Sequence, residues 1–409
     1  MQVLGIICEY NPLHSGHMHH FLHARDACGA DLVICVMSTV FTQRGEAAVA
    51  DPYLRARWAL EMGADAVIAL PNIFSMAPAP IFAKGGVEIL AKTGMVTHIG
   101  FGSECGDPQL LQALAEISAH ETGAFKSALA RHLKGGGSYP AAFAAASGEL
   151  LPGGIDKELA AKVLSSPNDV LALEYIKAII RGRHRMEPVV IKREAPHRAT
   201  AITGEMASST AIRRDMLKGE DRWKSAVPAF VRASLEEAVQ KGDAPISNDC
   251  FNQFICAGMR VAPPEAFTRL PDWEEGLEHV LKRAAGGNDH WHAMLMSAKS
   301  KRYTYTRLQR MMWYALLGVT KQFRDQAAAA GPQYLRVLGV KNTAVLSHLK
   351  ASATLPLWVR NADISIEKGS LAQRMLAFDA RCFDLYALTQ KTDTHGGRWY
   401  SQPLIVLEK

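Results

Sequence analysis

Residues 3–17 read VLGIICEYNPLHSGH, an apolar run followed by a proline turn and two histidines. The apolar run Val3–Cys8 predicts a buried strand, and the turn ends where a helical segment begins. Gly16 lacks a Cβ, so an anion can approach its backbone. Free N–H groups and the positive helix end face the same position, where His14 and His17 can donate hydrogen bonds. The stretch therefore predicts a phosphate-binding turn.

A second interpretation of this turn is a histidine-rich surface with weak affinity for a metal ion. Its five histidines are His14, His17, His19, His20 and His23. For an isolated H-x-G-H pattern the two interpretations have about equal weight. The strand before the turn and the helix after it favour phosphate binding, and we predict no metal-binding residues.

The first hundred residues alternate short apolar runs with helical segments. We predict strands at Val3–Cys8, Leu32–Met37, Ala66–Leu70 and His98–Phe101, and a returning strand at Val189–Lys192. Three intervening helices end at a glycine, a common stop signal: Gly29, Gly63 and Gly94. This alternation predicts βαβ units, so the expected fold class is α/β with a Rossmann-like, doubly wound parallel sheet.

Polar loops follow the first four predicted strands. They contain His14, Gln43-Arg44-Gly45-Glu46, Pro71-Asn72 and Gly102-Ser103-Glu104, and Arg193 ends the returning strand. Ligands of parallel sheets bind beyond the carboxyl ends of the strands. We therefore expect these loops to converge on one site.

A second candidate phosphate motif lies at Ala207–Arg213, which reads ASSTAIR and precedes a helical segment. The hydroxyls of Ser208, Ser209 and Thr210 can cap a helix and bind phosphates, and Arg213 adds a cation that can make paired hydrogen bonds. Taken alone, the segment is better explained as an ordinary serine-capped helix. Together with H-x-G-H in the same predicted domain, it favours two motifs that hold one nucleotide.

The chain length of 409 residues and the ordinary globular composition allow two domains. We expect a nucleotide-binding domain at 1–220, with a helical insertion at about 105–180, and a mainly α-helical domain at 221–409. A glycine turn at 135–137 lacks the lysine of a P-loop and is expected to be a linker. Asn168 is either a helix cap or a contact to adenosine, and the cap is favoured.

The sequence contains no run close to the ~18 apolar residues of a membrane span and no signal-peptide pattern. Its seven cysteines form no C-x-x-C pair, which favours reduced thiols. We therefore expect a cytoplasmic protein that does not contact a membrane. The net charge of +6 suits an anionic partner.

The segment Lys299–Arg324 contains seven basic residues and no acidic one. Helical spacing predicts a buried stripe made of Leu308, Met311, Met312, Ala315 and Leu316. Arg307, Arg310 and Tyr314 then share the opposite face. Cations beside tyrosines suit phosphate contacts and base stacking, so RNA binding is favoured over a solvated basic helix. Residues 181–224 form a second basic stretch beside the second motif.

As a set, these motifs resemble the tRNA(Met) cytidine acetate ligase family, which belongs to the HIGH nucleotidyltransferases. The matching segments are Gly5–His17, Phe41–Glu46, Leu70–Ser75, Phe101–Glu104, Ser166–Asn168, Ala207–Arg213 and Lys301–Thr304. The resemblance implies an ATP-dependent ligase that activates free acetate as acetyl-adenylate. It further implies transfer of the acetyl group to N4 of the wobble cytidine of elongator tRNA(Met).

The motifs and the resemblance together assign the site residues. Catalytic roles are expected for His14, His17, Ser208, Ser209, Thr210 and Arg213. The resemblance implies ATP contacts at Ile7, Cys8, Glu9, Tyr10, Asn11, Pro12, Leu13, His14, Ser15, Gly16, His17, Met18, His19, His20, Gly102, Asn168 and Arg193. Contacts to tRNA are expected at Lys301, Arg302, Tyr303, Arg307 and Arg310. Because the second motif lacks a lysine, Arg213, the hydroxyls and Mg²⁺ are expected to neutralise the phosphates.

Two other functions stay open on sequence alone. A small-molecule adenylyltransferase acting on a nucleotide or pantetheine phosphate shares both motifs but has no need of the basic, tyrosine-containing helix. A non-catalytic RNA-binding protein with a relic nucleotide fold is less favoured, because both motifs keep their histidines, hydroxyls and arginine.

Overall fold

The structure is a computed structural model that describes residues 1–135, 139–150, 157–193, 202, 207–360, 363 and 365–408. Most of the predicted glycine turn at 135–137 lies outside these residues, as does the middle of the basic stretch 181–224. No helix within the described ranges is both long and apolar enough to cross a bilayer.

A mixed sheet forms the centre of the molecule. Its strands are β1 (Val3–Cys8), β2 (Leu32–Ser38), β3 (Ala66–Leu70), β4 (His98–Ser103), β5 (Glu187–Lys192), β6 (Leu335–Val340), β7 (Leu357–Trp358) and β8 (Ile405–Val406). The order is β5-β4-β1-β2-β3-β6-β7, and β8 pairs with β6. The first five strands run parallel, which confirms the predicted α/β sheet, and each lies within two residues of its predicted bounds.

Helices surround this sheet. In the first half they are α1 (Ser15–Cys28), α2 (Pro52–Met62), α3 (Asn72–Ser75), α4 (Ala79–Lys92), α5 (Pro108–His120), α6 (Gly123–Lys134), α7 (Tyr139–Leu150), α8 (Lys157–Val163), α9 (Pro167–Gly182) and α10 (Ser209–Leu217). Strands β1, β2 and β3 are buried along almost their whole length, so both faces of the central sheet are covered.

The second half of the chain is mainly helical, as predicted. Its helices are α11 (Trp223–Ala226), α12 (Ala229–Lys241), α13 (Asn252–Val261), α14 (Pro264–Phe267), α15 (Leu277–Gly287), α16 (Trp291–Ala298), α17 (Tyr305–Leu317), α18 (Lys321–Ala330), α19 (Thr343–Ser352), α20 (Leu371–Ala387) and α21 (Arg398–Ser401). A 3₁₀ helix spans Asn248–Phe251.

Three strands from this half join the N-terminal sheet, which the sequence pattern did not indicate. β6 is completely buried and pairs antiparallel with β3. An added antiparallel strand needs no βαβ rhythm, so the signal that identified the other strands is absent here. The two predicted domains therefore share one sheet, and their separation at residue 220 stays a prediction.

Candidate nucleotide-binding site

The turn after β1 holds two histidines in a fixed arrangement. His14 is the N-cap of α1, and its Nδ1 accepts a hydrogen bond from the Gly16 N–H at 3.1 Å. His17 reaches back, and its Nδ1 accepts from the His14 N–H at 3.4 Å. The two rings stack with their centroids 3.8 Å apart. The predicted strand–turn–helix is therefore present, with the histidines forming its capping box.

Burial keeps His14 and His17 neutral. Desolvation, with the nearby Arg193 and Arg213 charges, lowers the pKa of His14 to about 3. Desolvation followed by the charges of His14 and Arg193 lowers the pKa of His17 well below its usual value. A neutral ring whose Nδ1 accepts a hydrogen bond carries its proton on Nε2. Each ring therefore presents one Nε2–H donor, the chemistry that a phosphate oxygen requires.

His20, one turn further along α1, is also kept neutral. Desolvation and then the Arg193 charge lower its pKa to about 4. Its Nε2 is buried without a hydrogen-bond partner among the described residues. A buried polar atom without a partner is costly, and a bound ligand would remove that cost. This orphaned nitrogen is consistent with a polar ligand at the turn.

Two glycines of the site make room for functional side chains. A Cβ on Gly16 would lie 3.0 Å from the His14 ring, so this glycine accommodates the capping histidine as well as the predicted phosphate. A Cβ on Gly102 would lie 3.2 Å from Cγ of Arg193. Arg193 continues from β5, and its charge contributes to the lowered pKa values of all three histidines. The ends of β1, β4 and β5 thus converge as predicted.

The predicted cap at Asn168 is wrong. Ser166 is the N-cap of α9, and it makes no side-chain cap bond. Glu104, from the loop after β4, accepts hydrogen bonds from the Asn168 side chain at 2.6 Å and from the Asp169 N–H at 3.0 Å. A carboxylate from a neighbouring loop therefore replaces the local cap. The sequence shows that Glu104 directly follows β4, but it does not show that this carboxylate binds the start of α9.

The second motif lies beside the first. The Ser208 side chain accepts from the Ala211 N–H at 3.1 Å and caps α10, whereas Thr210 is exposed. Arg213 donates to the Asn11 carbonyl at 2.7 Å and to the Glu46 carboxylate at 2.6 Å. The arginine therefore joins the second motif to the first and to the loop after β2.

Two carboxylates at this edge were quoted in the sequence motifs without a precise role. Glu46 pairs with Arg213, and Glu9 accepts from the Gln43 N–H at 2.7 Å. Burial raises the pKa of Glu9, and the Gln43 hydrogen bond opposes that rise. Within the described ranges, no group of three or more His, Cys, Asp or Glu side chains is placed to hold a metal ion.

The predicted exposed face of α17 is wrong. Of the predicted stripe, Leu308, Met311 and Met312 are buried as expected, whereas Ala315 and Leu316 are only half-buried. On the other face, Arg310 and Tyr314 are buried as well. Tyr314 donates to the Met76 carbonyl, and Arg310 lies against the backbone of Gly45. This face of the helix is covered by the N-terminal half, whose backbone carbonyls accept hydrogen bonds from Gln309, Trp313 and Tyr314.

Two arginines, one before α17 and one in its first turn, share an acidic partner from elsewhere in the chain. Arg302 pairs with Glu274 at 2.5 Å, and Arg307 pairs with the same carboxylate at 2.9 Å. Tyr303 is buried, and the guanidinium carbon of each arginine lies 5.4 Å from its ring centroid. Lys301 and Arg302 are exposed. Their predicted contact with tRNA stays a prediction.

The chain is similar in sequence to known proteins along most of its length. A family model described as HIGH Nucleotidyl Transferase matches residues 1–398. The chain is 34% identical to the tRNA(Met) cytidine acetate ligase of Acetivibrio thermocellus over the full length of both proteins. It is 36% identical to the enzyme of that name from Fervidobacterium nodosum, covering 87% of this chain and 83% of the relative.

Solved structures are similar along the same length. The apo crystal structure of Thermotoga maritima TmcAL has a TM-score of 0.93 and 31% sequence identity, and the match covers 99% of this chain and 100% of that one. The crystal structure of the same protein bound with alpha-thio ATP has a TM-score of 0.91, 30% identity and the same coverage.

Proposed function

Because the chain belongs to the HIGH nucleotidyltransferase family, and within it to the tRNA(Met) cytidine acetate ligases, we propose that it activates acetate with ATP and acetylates the wobble cytidine of elongator tRNA(Met). The product is N4-acetylcytidine. The reaction takes place in the cytoplasm, with its tRNA substrate.

One observation supports this function most directly: the two phosphate motifs are in contact. Arg213 of the second motif donates to the Asn11 carbonyl, three residues before His14. A site with neutral imidazole donors on one side and an arginine on the other can hold a triphosphate across its α-phosphate. The alpha-thio ATP complex of the Thermotoga maritima protein is consistent with ATP at such a site.

Acetate is a poor acyl donor, so its carboxylate must first be activated. A carboxylate oxygen attacks the α-phosphorus of ATP, the bond to the bridging oxygen breaks, and pyrophosphate leaves. The N4 amine of cytidine then attacks the acetyl carbon of the mixed anhydride, loses a proton and displaces AMP. Both steps depend on positioning and on stabilising negative charge, and neither needs a nucleophilic side chain.

The residues of the site divide this work. His14 and His17 donate from Nε2 to the α-phosphate oxygens as charge develops there. Arg193 and Arg213 supply positive charge, and Ser209 and Thr210 supply hydroxyls at the start of α10. The orphaned Nε2 of His20 gains a hydrogen-bond partner in the nucleotide.

Magnesium is expected to enter with the ATP phosphates. The two carboxylates nearest the motifs already have partners: Glu9 binds the Gln43 N–H, and Glu46 binds Arg213. Mg²⁺ commonly keeps several waters and binds substrate phosphates with few protein ligands. The ion would therefore neutralise phosphate charge without a dedicated protein cage.

The test is ATP–pyrophosphate exchange by the purified protein, with acetate, formate or propionate as the carboxylate and no tRNA. We expect exchange that depends on acetate. Bulk tRNA added under the same conditions should acquire N4-acetylcytidine, detected by mass spectrometry of the nucleosides. Pyrophosphate release that depends instead on a nucleotide or pantetheine phosphate would identify a small-molecule adenylyltransferase and overturn the proposal.

A further inference from the structure

The loop after β2 is folded into a compact hairpin, residues 41–47, which we call the 41–47 hairpin. Phe41 and Ala47 form an antiparallel bridge. Within it, the Thr42 N–H donates to the Glu46 carbonyl and the Gly45 N–H donates to the Thr42 carbonyl, both at 2.9 Å. These bonds hold the residues of the hairpin in fixed positions relative to one another. A shift of Gly45 would therefore also move Glu46.

One face of the hairpin is held by the second half of the chain through the Gly45 carbonyl. Trp313 donates to it at 2.7 Å, Gln309 at 2.8 Å and Asn248 at 3.2 Å. Trp313 and Gln309, both on α17, are buried. Gly45 has φ +78°, and a Cβ there would lie 3.2 Å from the Arg310 nitrogen. The close approach of helix and hairpin therefore requires glycine.

Other residues of the hairpin contact the nucleotide motifs. Gln43 donates its N–H to Glu9, the first residue after β1. Glu46 pairs with Arg213 at 2.6 Å, and Arg213 donates to the Asn11 carbonyl at 2.7 Å. The contacts form a continuous series from α17 through the hairpin to both motifs.

We propose that Gln309 and Trp313 are positioning residues for the adenylation step, acting through Gly45 and Glu46 on Arg213. This rests on the proposed function, since adenylation is the step concerned. Without the two donors of α17, the Gly45 carbonyl would keep its longer bond from Asn248, the hairpin would be held less firmly, and Glu46 would hold Arg213 less well. A helix from the predicted tRNA-binding half therefore completes the ATP site before any tRNA binds.

The experiment measures acetate-dependent ATP–pyrophosphate exchange without tRNA for a double variant, Trp313→Phe with Gln309→Met. Both substitutions keep most of the side-chain volume and remove the donors to the Gly45 carbonyl, and Gln309→Met also removes the 3.1 Å bond from Gln309 to the Arg44 carbonyl of the same hairpin. Removing these three hydrogen bonds to the hairpin should lower kcat about tenfold, with a smaller change in the KM for ATP. If the double variant does not fold, Trp313→Phe alone should lower kcat about threefold.

The matched control is Trp58→Phe. Trp58 is buried on α2 and also donates its indole N–H at 2.7 Å, but to Ser234, which lies outside the hairpin. The Trp58→Phe protein should lose about as much thermal stability as the Trp313→Phe protein and keep its exchange rate. An equal loss of kcat in this control would mean that α17 acts only through stability and would overturn the inference.

Combining the double variant with Glu46→Gln tests whether α17 acts through the Glu46–Arg213 pair. If it does, adding Trp313→Phe and Gln309→Met to the Glu46→Gln protein should lower kcat by much less than a further tenfold. Fully multiplicative losses would overturn the inference. An absence of acetate-dependent exchange in the unmodified protein would instead refute the proposed function, so the two failures are distinguishable.

Discussion

The turn at His14–His17 and helix α17 hold their polar side chains in opposite ways. In the turn, hydrogen bonds between residues two or three apart fix the rings. In α17, Gln309, Trp313 and Tyr314 bond to carbonyls more than 200 residues away. The turn can therefore be formed by its own sequence, whereas the orientation of α17 depends on the sheet edge against which it packs.

This difference divides the residues of the site into those that contact the nucleotide and those that hold the first group in position. If this division is correct, substitutions in the turn should abolish adenylation and leave the fold intact. Substitutions in the second half of the chain should instead change how the nucleotide-binding residues are positioned. The predictions below test this division, beginning with the largest expected effect.

Replacing His17 should have the largest effect. His17→Ala removes one preorganised Nε2–H donor, which commonly costs about 10²–10³-fold in rate. Acetate-dependent exchange should fall by that amount while circular dichroism and thermal unfolding stay near those of the unmodified protein. His17→Gln, whose amide can place a donor near the Nε2 position, should recover part of the rate. Normal exchange in a folded His17→Ala protein would refute the role in adenylation.

Arg213→Ala should lower kcat/KM for ATP by about 10²-fold. The substitution removes two charge-assisted hydrogen bonds and leaves Glu46 unpaired near Glu9. Arg213→Lys keeps the charge but not the paired geometry and should be intermediate. Steady-state exchange and tRNA binding are measured together. A fall in tRNA affinity with unchanged use of ATP would mean that the second motif has been misinterpreted.

The sequence predicted the sheet edge well because its signals are local. Apolar runs, glycine stops and the H-x-G-H turn each lie within a few residues, and the parallel strands bring their ends together. Two interactions could not be predicted from such local signals. Glu104 caps a helix 64 residues further along the chain, and Arg310 is buried against Gly45. Helical periodicity gives the apolar stripe but not whether a second surface covers the other side.

Asp379 allows a pH test of how the second half of the chain holds the loop after β3. This carboxylate of α20 is buried, and accepts from the Asn72 N–H at 2.6 Å and the Tyr334 hydroxyl at 2.8 Å, next to the loop after β3. Desolvation raises its pKa from 3.8 to about 6, against the opposing hydrogen bonds. Between these values the folded state binds more protons than the unfolded state, so the contribution to stability falls as pH rises.

The free energy of unfolding of the unmodified protein, relative to Asp379→Asn, should therefore decrease between about pH 4 and pH 6, by on the order of 2 kcal/mol. Chemical denaturation at several pH values measures this difference. Tyr334→Phe removes one donor to the carboxylate, so it should move the inflection to higher pH. A difference that is constant with pH would show that Asp379 titrates normally.

The smallest effect is expected at the two exposed cations before α17, and it separates RNA contact from support. Lys301 and Arg302 are the residues of the predicted tRNA-binding set that are exposed to solvent. Lys301→Ala with Arg302→Ala should weaken tRNA binding severalfold and reduce the slope of log affinity against log salt by about 1 for each phosphate that is no longer neutralised. Arg310 is buried against the 41–47 hairpin, so Arg310→Ala should keep that slope and lower tRNA-free exchange. Binding titrations at several salt concentrations, beside exchange assays, distinguish the two. If Arg310→Ala reduces the salt dependence of tRNA affinity and the double variant does not, Arg310 contacts RNA. The proposed division between nucleotide-contacting residues and positioning residues would then be wrong.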